Sequence, residues 1–303
     1  MKGYKTPYAF ISISEYHKFR GLPAPEHPLI SVVDFEDLIL EGDEPYSITS
    51  NFYSIALKRH PNTTLIYGQQ QYDFDEGVLL FLAPRQVFGI KTNSLDNPKG
   101  WMLMVHPDFF WGSSLAKKIK GYEFFSYSVN EALFLSEKEE QTLNAIVSNI
   151  ESECSNNLDR FSQQIIISQI ETLLNYSERY YERQFLTRKV TSHQILEKLE
   201  DLLNNYFKNN NLESLGLPTV QFVSDRLNLS AGYLSSLLKA HTGQSTQQHI
   251  HQKIIEEAKE KLSTTNLSVS EVAFELGFDY PQSFSKLFKS KTELSPTQFK
   301  KSF

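Results

Sequence analysis

EVAFELGFDYPQSFSKLFKS, residues 271–290, has the spacing of two short helices joined by a tight turn. Val272 and Leu276 fall on one face of a first helix, since residues four apart lie on the same side of a helix. Gly277 favours the end of that helix, because glycine adopts the left-handed conformation at little cost. Pro281 suits the first turn of a second helix, where a missing backbone N–H leaves no hydrogen bond unmade. The stretch therefore predicts a helix, a tight turn and a second helix.

The second helix of this pair has an apolar face and a polar face. Phe284, Leu287 and Phe288 form the apolar stripe. The opposite face carries Gln282, Ser283, Lys286 and Lys289. A DNA-binding helix-turn-helix motif has this arrangement, with its second helix in the major groove. The alternative is an ordinary helical hairpin whose polar face is only solvated.

A second copy of this pattern lies upstream, in FVSDRLNLSAGYLSSLLKAHTGQS, residues 222–245. Before the turn, the two copies match at an offset of 49 residues: Val223 with Val272, Leu227 with Leu276, and Leu229 with Phe278. After the turn, they match at an offset of 50 residues: Leu234 with Phe284, Leu238 with Phe288, and Lys239 with Lys289. The one-residue change falls in the turn, where an insertion disturbs the structure least. An ordinary hairpin would not repeat its turn, its stripe and its lysine together, so the repeat favours paired DNA-binding motifs.

A helical segment joins the two copies. STQQHIHQKIIEEAKEKL, residues 245–262, has apolar residues at helical spacing from Ile250 to Leu262. A helix of that length spans on the order of 25 Å at about 1.5 Å per residue. With its flanking turns, it could set two recognition helices about one DNA turn apart, roughly 34 Å. The sequence therefore predicts that one monomer reads two successive segments of the major groove.

Charge is unevenly distributed along the 303 residues. Residues 217–303 contain ten Lys and Arg and eight Asp and Glu, a net charge of +2, whereas the whole chain carries −6 and residues 1–216 therefore carry −8. A positive C-terminal part is the asymmetry expected when that part binds DNA. With 40% apolar and 22% charged residues, the composition is that of a globular protein, and the length predicts two domains.

Cysteine content and hydropathy predict a cytoplasmic protein without a membrane partner. Cys154 is the only cysteine, so the chain cannot form an internal disulfide. The N-terminal residues MKGYKTPYAFISISEYHKF contain no apolar run long enough for a signal peptide. No segment approaches the ~18 apolar residues of a membrane span.

Residues 29–110 have the patterns of a β-rich domain. Segments rich in aromatic and β-branched residues alternate with turn signals such as HPNT (60–63), DEG (75–77) and NPKG (97–100). The segments are YSITSNFYSIALKR, TLIYGQQQYDF, GVLLFLAPRQVFGI and GWMLMVHPDFF. Several short strands at this spacing predict a sandwich or a barrel.

The periodicity becomes helical from about residue 131. Ser-x-x-Glu spacings at Ser136 and Ser268 are those of capping boxes, which predict helix starts. A long helix is predicted over 159–182, and its stripe consists of Ile166, Ile170, Leu173, Tyr180 and Tyr181. Such a stripe packs either on its own domain or on a second copy of the chain. TRKVTSH, residues 187–193, is predicted to be a hinge before the helix that opens the C-terminal domain.

The C-terminal part resembles the AraC/XylS family of bacterial transcription regulators. The resemblance rests on LGF (276–278), SFSKLFK (283–289) and LSPTQF (294–299), and in the first copy on LSAGYLSSLLKAHTGQS. It implies an all-α domain at about 190–303, with helix-turn-helix motifs at about 219–242 and 268–291 and a linker helix at about 246–262.

Three residues depart from the family pattern. Glu293 stands where glycine is usual after the recognition helix, Lys286 where arginine is common, and Ile254 where the linker helix often has arginine. Because lysine cannot form the rigid bidentate fork of arginine, the base preference of other members does not transfer to this chain.

The resemblance implies that the second helix of each motif carries the DNA-binding residues. The matching positions are Gly232, Ser235, Ser236 and Lys239 in the first copy, and Gln282, Ser283, Lys286 and Lys289 in the second. Lys239 and Lys289 come late in their helices, which favours phosphates over base edges. Gln282 can pair with adenine, so either the second copy carries more of the direct readout or the first depends on apolar contacts and DNA shape.

The N-terminal part is similar to the cupin-like sensor and dimerisation domains of many family members. PEHPLISV, ALKR (56–59) and GVLLFLAPRQVF carry this similarity. The fold class that follows is α+β with two domains. A cupin-like β-barrel is predicted at about 1–130, and linker helices with a dimerisation role at about 131–186, before the C-terminal domain.

The implied function is that of a DNA-binding transcription regulator, an activator or a repressor. Its expected partners are double-stranded DNA, RNA polymerase, a small-molecule effector and a second copy of the chain. Two versions stay open: a regulator gated by a ligand, and one whose N-terminal domain only dimerises or binds a protein. The aromatic residues that are either plain core or pocket lining are Phe52, Tyr53, Tyr67, Phe74, Phe81 and Phe88.

The histidines do not form the metal-binding pattern of a cupin enzyme. No His-x-His pair occurs among the N-terminal histidines, which are His17, His27, His60 and His106. His249 and His251 form such a pair on the linker helix, where residues two apart point to different sides. Cys154 lies in an acidic segment that does not lower the pKa of its thiol. The sequence therefore predicts no metal, no cofactor and no enzymatic activity, with a metal-dependent cupin enzyme as the alternative.

Overall fold

The structure is a computed structural model that describes residues 7–39, 46–59, 65–67, 70–72, 77–90, 99–128, 131–156, 159–187, 189–208, 212 and 216–302. The chain forms two compact units, Met1–Gln184 and Phe185–Phe303. The predicted turn HPNT and part of DEG and NPKG lie outside the described residues. The two units together form the α+β architecture that the sequence predicts.

The first unit is rich in short strands. They are β1 (Tyr8–Phe10), β2 (Ile30–Asp34), β3 (Tyr46–Ser50), β4 (Tyr53–Arg59), β5 (Leu65–Tyr67), β6 (Gln70–Tyr72), β7 (Gly77–Leu82), β8 (Phe88–Ile90), β9 (Lys99–Val105) and β10 (Leu133–Leu135). They form a five-stranded sheet in the order β10-β7-β4-β9-β2, a three-stranded sheet in the order β1-β3-β8, and the pair β5-β6. Within the described residues, no strand pairing joins the two larger sheets, so the predicted closed cupin-like barrel is not confirmed.

Four α-helices accompany these sheets. They are α1 (Ile13–Phe19), α2 (Leu115–Lys118), α3 (Glu137–Ser155) and α4 (Ser162–Thr187). The predicted start of α3 is confirmed, since the Ser136 N–H donates to Glu139 Oε2 at 2.8 Å. All five residues of the predicted α4 stripe are buried. The Tyr181 hydroxyl donates to the Glu131 carbonyl at 3.1 Å, so the stripe packs on its own unit.

The five-stranded sheet is covered on both faces. On the inner face, Ala56 of β4 pairs with Leu80 and Met102, and all three belong to a buried cluster that includes Phe10 and Phe88 of the other sheet. The two sheets therefore share one apolar core.

The outer face of the same sheet packs on helices. Trp101 of β9 donates its indole N–H to Asn144 Oδ1 of α3 at 2.8 Å. Arg59 of β4 forms an ion pair of 2.7 Å with Glu140, also on α3. Successive side chains on a strand alternate between the two faces, so Arg59 and its neighbour Lys58 point in opposite directions.

The second unit is helical. Its helices are α5 (Lys189–Lys208), α6 (Val220–Leu227), α7 (Ala231–Thr242), α8 (Thr246–Thr264), α9 (Val269–Glu275), α10 (Pro281–Thr292) and α11 (Pro296–Lys300). The hinge predicted at 187–193 is helical from Lys189 onward, because the segment contains no glycine or proline that would end a helix. The apolar residues of α8, from Ile250 to Leu262, are buried at helical spacing, which makes α8 the central helix of this unit.

Candidate nucleic-acid interface

Two helix pairs, α6–α7 and α9–α10, repeat the same local structure. Thr219 caps α6, as its hydroxyl accepts from the Phe222 N–H at 3.0 Å. Ser268 caps α9 in the same way, accepting from the Glu271 N–H at 3.2 Å, while Glu271 accepts from the Ser268 N–H at 2.6 Å. The reciprocal bonds confirm the predicted capping box and satisfy two N–H groups that have no partner within the helix.

The two turns also have one geometry. Asn228 and Gly277 take left-handed conformations, with φ of +56° and +89°. One residue later, the Leu229 N–H donates to the Ser224 carbonyl and the Phe278 N–H to the Ala273 carbonyl, each at 3.0 Å. A Cβ at Gly277 would lie 2.8 Å from the carbonyl carbon and oxygen of Gly216, so glycine is required there by space as well as by φ.

The buried pairs of α7 and α10 match across the repeat. Leu234 and Leu238 on α7 are fully buried, as are Phe284 and Phe288 on α10. The second copy uses a ladder of rings, with centroid distances of 5.4 Å from Phe278 to Phe284, 5.7 Å from Phe284 to Phe288 and 5.4 Å from Phe288 to Phe299. Leu287 is only half-buried, unlike its counterpart Leu237. Packing thus confirms both predicted stripes and leaves the opposite faces of α7 and α10 accessible.

The repeat continues beyond the recognition helices. Thr242 and Thr292 each donate a hydroxyl to the carbonyl one turn back, at 2.8 Å. Ser245 and Ser295 then form capping boxes with Gln248 and Gln298, which start α8 and α11. The structural repeat is therefore longer than the pair of helices from which the sequence match began.

The predicted DNA-binding residues lie on the accessible faces of α7 and α10. On α7, Lys239 is exposed, and the three half-buried residues are Gly232, Ser235 and Ser236. On α10 all four are exposed, namely Gln282, Ser283, Lys286 and Lys289. Spacings of three and four residues place each set along one side of its helix.

One position of this face escaped the sequence-based choice. Ser285 corresponds to Ser235 at the offset of 50 and is likewise half-buried on α10. Ser283 corresponds to Tyr233, which is buried on α7 and packs 5.1 Å from the ring of Phe185. The repeat offset pairs Ser235 with Ser285, whereas the contact positions implied by the family resemblance include Ser283.

Acidic neighbours pair with lysines elsewhere in this unit but not on α10. Lys253 pairs with Glu257 at 2.8 Å within α8, and Lys261 pairs with Glu275 at 2.6 Å. Within residues 216–302, Lys286 and Lys289 have no carboxylate at ion-pair distance. The recognition-helix lysines of the second copy therefore carry uncompensated positive charge.

The position of Ile254 explains one departure from the family pattern. Ile254 lies on α8 and is 1% exposed, so it belongs to the core of the second unit. A positive charge at this place would be buried. Lys253 next to it is already paired with Glu257.

His249 and His251 on α8 hydrogen-bond to different side chains. His249 Nε2 is 2.8 Å from the Thr242 hydroxyl, and His251 Nε2 is 2.7 Å from Gln247 Nε2. Among the described residues, no group of three His, Cys, Asp or Glu side chains could hold a metal ion. Burial lowers the pKa of both imidazoles and so favours their neutral form.

Cys154 and His17 are potentially reactive side chains of the first unit. Burial, with a contribution from nearby glutamates, raises the pKa of the Cys154 thiol to about 11, so it is protonated at neutral pH. Both ring nitrogens of His17 are held by protein groups, the Pro23 carbonyl at 2.6 Å and the Ser31 hydroxyl at 3.0 Å. None of the described helices has the length and apolar composition needed to cross a membrane.

Known proteins share the C-terminal part of this chain. A family model described as a helix-turn-helix domain matches residues 223–302. The raffinose operon regulatory protein RafR of Pediococcus pentosaceus is 38% identical over 84 residues, which are 28% of this chain and 30% of RafR. The multiple antibiotic resistance protein MarA of Salmonella typhimurium is 30% identical over 115 residues, which are 38% of this chain and 81% of MarA.

A solved structure of an AraC-type regulator from Chromobacterium violaceum matches 37% of this chain and 95% of its own, at 17% identity and a TM-score of 0.32. This chain spans less than half the length of the first curated relatives it matches.

Proposed function

Because this chain belongs to the AraC/XylS family of transcription regulators, we propose that it binds double-stranded DNA sequence-specifically and regulates transcription. The observation that carries the proposal is the paired motif. Its two copies have matching caps, turns and buried pairs, and each exposes a polar side of its second helix. Two motifs with the same local structure can each present a second helix to DNA in the same way.

In the proposed complex, α7 and α10 enter neighbouring segments of the major groove on one side of the DNA. The helix between the motifs, α8, contains 19 residues and so spans about 28 Å at about 1.5 Å per residue. Adjacent turns of the major groove are about 34 Å apart. In this proposal the flanking turns supply the remaining length.

Lysines supply the attraction to phosphate in this proposal. Lys239, Lys286 and Lys289 are exposed on the recognition helices. Lys286 and Lys289 have no carboxylate partner among the described residues, so binding DNA breaks no ion pair of theirs. Each phosphate contact of this kind releases counterions, which makes the affinity depend on salt.

Short polar side chains supply base readout. Gln282 and Ser283 are exposed in the first turn of α10, where recognition helices approach base edges. Gly232, Ser235 and Ser236 are half-buried on α7 and offer no bidentate group. We therefore assign most of the direct readout to the second motif and shape or apolar contacts to the first, and add Ser285 to the contact face.

The first unit sets the activity of the second in this proposal. We assign it the role of the cupin-like sensor, and two sheets that share one apolar core support this assignment. RNA polymerase and a second copy of the chain are the proposed protein partners, and the cytoplasm is the proposed location. The proposal includes no catalytic activity, in keeping with the regulatory names of the relatives.

Selection of genomic DNA fragments by the full-length protein tests the function, at a salt concentration of about 0.15 M. We expect enrichment of one motif that consists of two blocks about ten base pairs apart. The Gln282→Ala variant should relax the preference within one block only. Binding of every fragment with equal affinity would contradict sequence-specific regulation, and a single enriched block would contradict the use of both recognition helices.

A further inference from the structure

The interior of the first unit contains two cationic side chains, Arg20 and Lys58. Arg20 lies at the C-terminal end of α1 and is 2% exposed. Lys58 is on β4, in the centre of the five-stranded sheet. Buried charges of one sign are costly unless an opposite charge accompanies them. The pair therefore requires an explanation.

Strand register places Lys58 on the inner face of its sheet. Lys58 follows Ala56 on the same side of β4, and Ala56 belongs to the apolar core shared with the three-stranded sheet. The opposite side of β4 ends at Arg59, which pairs with Glu140. The Lys58 side chain thus points into the space between the two sheets.

Aromatic rings enclose Arg20. Its Cζ lies 5.6, 5.0 and 5.5 Å from the ring centroids of Tyr16, Phe19 and Tyr46. One guanidinium nitrogen, Nη1, donates to the Tyr46 hydroxyl at 2.7 Å. Another, Nε, is buried without any hydrogen-bond partner. A buried N–H without a partner costs about 1–3 kcal/mol, so a hydrogen-bond acceptor beside Arg20 Nε would stabilise the unit.

Lys58 is also held by rings rather than by a carboxylate. Its Nζ lies 5.0 Å from the ring centroid of Phe35 and 5.9 Å from that of Phe88. Lys58 as a whole residue is half-buried, and its ammonium group lies beside these two rings. Burial, together with repulsion from Arg20, lowers the pKa of Lys58 to about 8.

Neither cation has a counterion within the described residues. No Asp or Glu lies at ion-pair distance from Arg20 or Lys58 there, although other cations of this unit are paired, such as Arg59 with Glu140 and Arg183 with Glu139. Arg20 lies beside Tyr46 of β3 and Lys58 beside Phe88 of β8, and these two strands are paired, so one anionic group could satisfy both cations. The rest of such a ligand would pack against aromatic rings, so it should be apolar; we call this part its apolar body.

We propose that the first unit binds a small organic anion, with its carboxylate or phosphate group between Arg20 and Lys58 and its apolar body against Phe19, Phe35 and Phe88. Arg20 donates through Nε, and Lys58 supplies a second charge-assisted hydrogen bond. A neutral compound of the same shape leaves both cations uncompensated and is excluded on that ground. Control of DNA binding by this ligand rests on the function proposed above, whereas the binding itself does not.

The test is a binding measurement on the full-length protein in the absence of DNA. The probes are benzoate and octanoate as carboxylates, phenyl phosphate as a phosphate ester, and inorganic phosphate as an anion without an apolar body. Benzamide, octanamide and phenol are the neutral counterparts of the three organic anions. We expect at least one organic anion to raise the melting temperature of the first unit, followed through its two tryptophans, Trp101 and Trp111, while its neutral counterpart has no effect.

Variants separate this site from binding elsewhere. Lys58→Met keeps the stem of the side chain in its apolar surroundings and should weaken binding of that anion at least tenfold, as measured by calorimetry. Lys58→Arg should retain binding. Lys18→Met removes an exposed charge of α1 and should leave the affinity unchanged. Preference for benzoate over phenyl phosphate, or the reverse, identifies which anionic group the site holds.

Three results would overturn the proposal. They are equal binding of an anion and its neutral counterpart, unchanged affinity in Lys58→Met, and no response of the wild-type protein to any organic anion in the panel. Failure of the chain to bind DNA would leave all three readouts intact, so this test and the test of the DNA-binding function fail separately.

Discussion

Glu293 occupies, at the end of α10, the left-handed backbone position that Gly243 occupies at the end of α7. The φ angle is +63° at Glu293 and +72° at Gly243. Each residue donates its N–H at 2.9 Å to the carbonyl of a lysine one turn back, Lys289 or Lys239. The two recognition helices therefore end in the same way, although a side chain with a Cβ disfavours this conformation.

Opposite substitutions at these two positions should have opposite effects on stability. Glu293→Gly relieves a conformation that costs a residue with a Cβ about 1–2 kcal/mol, offset in part by the entropy of glycine, so we expect a gain of roughly 0.5–1 kcal/mol. Gly243→Ala should lose about 1 kcal/mol by the same argument, because the site has open space for the methyl group and only φ opposes it.

Amide hydrogen exchange in α10 and α7 measures both effects within the second unit. A loss of protection in Glu293→Gly would contradict the strain argument.

Removal of the Phe288 ring should unfold the second motif. The ring is fully buried between Phe284 and Phe299, so Phe288→Ala should cost about 3–5 kcal/mol. Phe274→Ala is the matched control, because that ring is 45% exposed and its loss should cost much less. Thermal melting followed by circular dichroism distinguishes them, and equal melting of both variants would show that Phe288 is not part of the core.

Lys289→Ala should weaken binding to all DNA sequences alike. Loss of one phosphate contact reduces the slope of log affinity against log salt by about 0.9. Lys138→Ala removes one exposed charge from the first unit and should leave the slope unchanged. Fluorescence anisotropy over a salt series gives both slopes. A changed base preference with an unchanged slope would assign Lys289 to a base edge instead.

Gln282→Ala should act on sequence preference instead of overall affinity. An amide that pairs with adenine discriminates against other bases by about 1–3 kcal/mol, so the variant should tolerate substitutions at one base pair that the wild type rejects. Competition binding with a set of single-base variants of the selected site measures this. Uniform weakening across the set would indicate a phosphate contact or a structural role for Gln282.

Lys58 should make stability rise with pH in the alkaline range. Its pKa is about 8 in the folded protein and about 10.5 when the chain is unfolded, so between these values the unfolded state binds more protons and folding is favoured as pH increases. Lys58→Met lacks this linkage. The difference in unfolding free energy between wild type and Lys58→Met should therefore grow in favour of the wild type from pH 7 to pH 9.5. A constant difference would show that Lys58 keeps an ordinary pKa.

Prediction from sequence succeeded where structure depends on residues close together in the chain. Ser268 with Glu271, the left-handed Gly277 and the buried Phe284 and Phe288 all lie within one or two helical turns of their partners. The repeat strengthened the prediction, because the same turn and the same apolar stripe occur in both copies. Ser285 was left out because the contact residues were taken from the family resemblance, although the repeat offset pairs it with Ser235.

Prediction failed or stayed incomplete where distant segments meet. The sequence predicts that the segment ALKR forms one strand. In the structure, successive side chains of this strand alternate, so Arg59 contacts a helix on one side of the sheet and Lys58 faces the core on the other side. A shift of one residue in register would exchange the two, and the register depends on β7 and β9, which lie further along the chain. The spacing of the strands left a sandwich and a barrel open, and the cupin-like barrel implied by the resemblance is not confirmed, because it requires pairings between strands that local sequence does not specify.

The two helix-turn-helix motifs are determined by local sequence, since helix caps, turn residues and apolar stripes involve interactions over one to four residues. The meeting of Arg20 with Lys58, and the absence of a carboxylate beside them in the described residues, was decided only by tertiary structure. Their positions are set by the packing of α1 against two sheets, and such packing balances burial, strand register and charge across the whole unit at once.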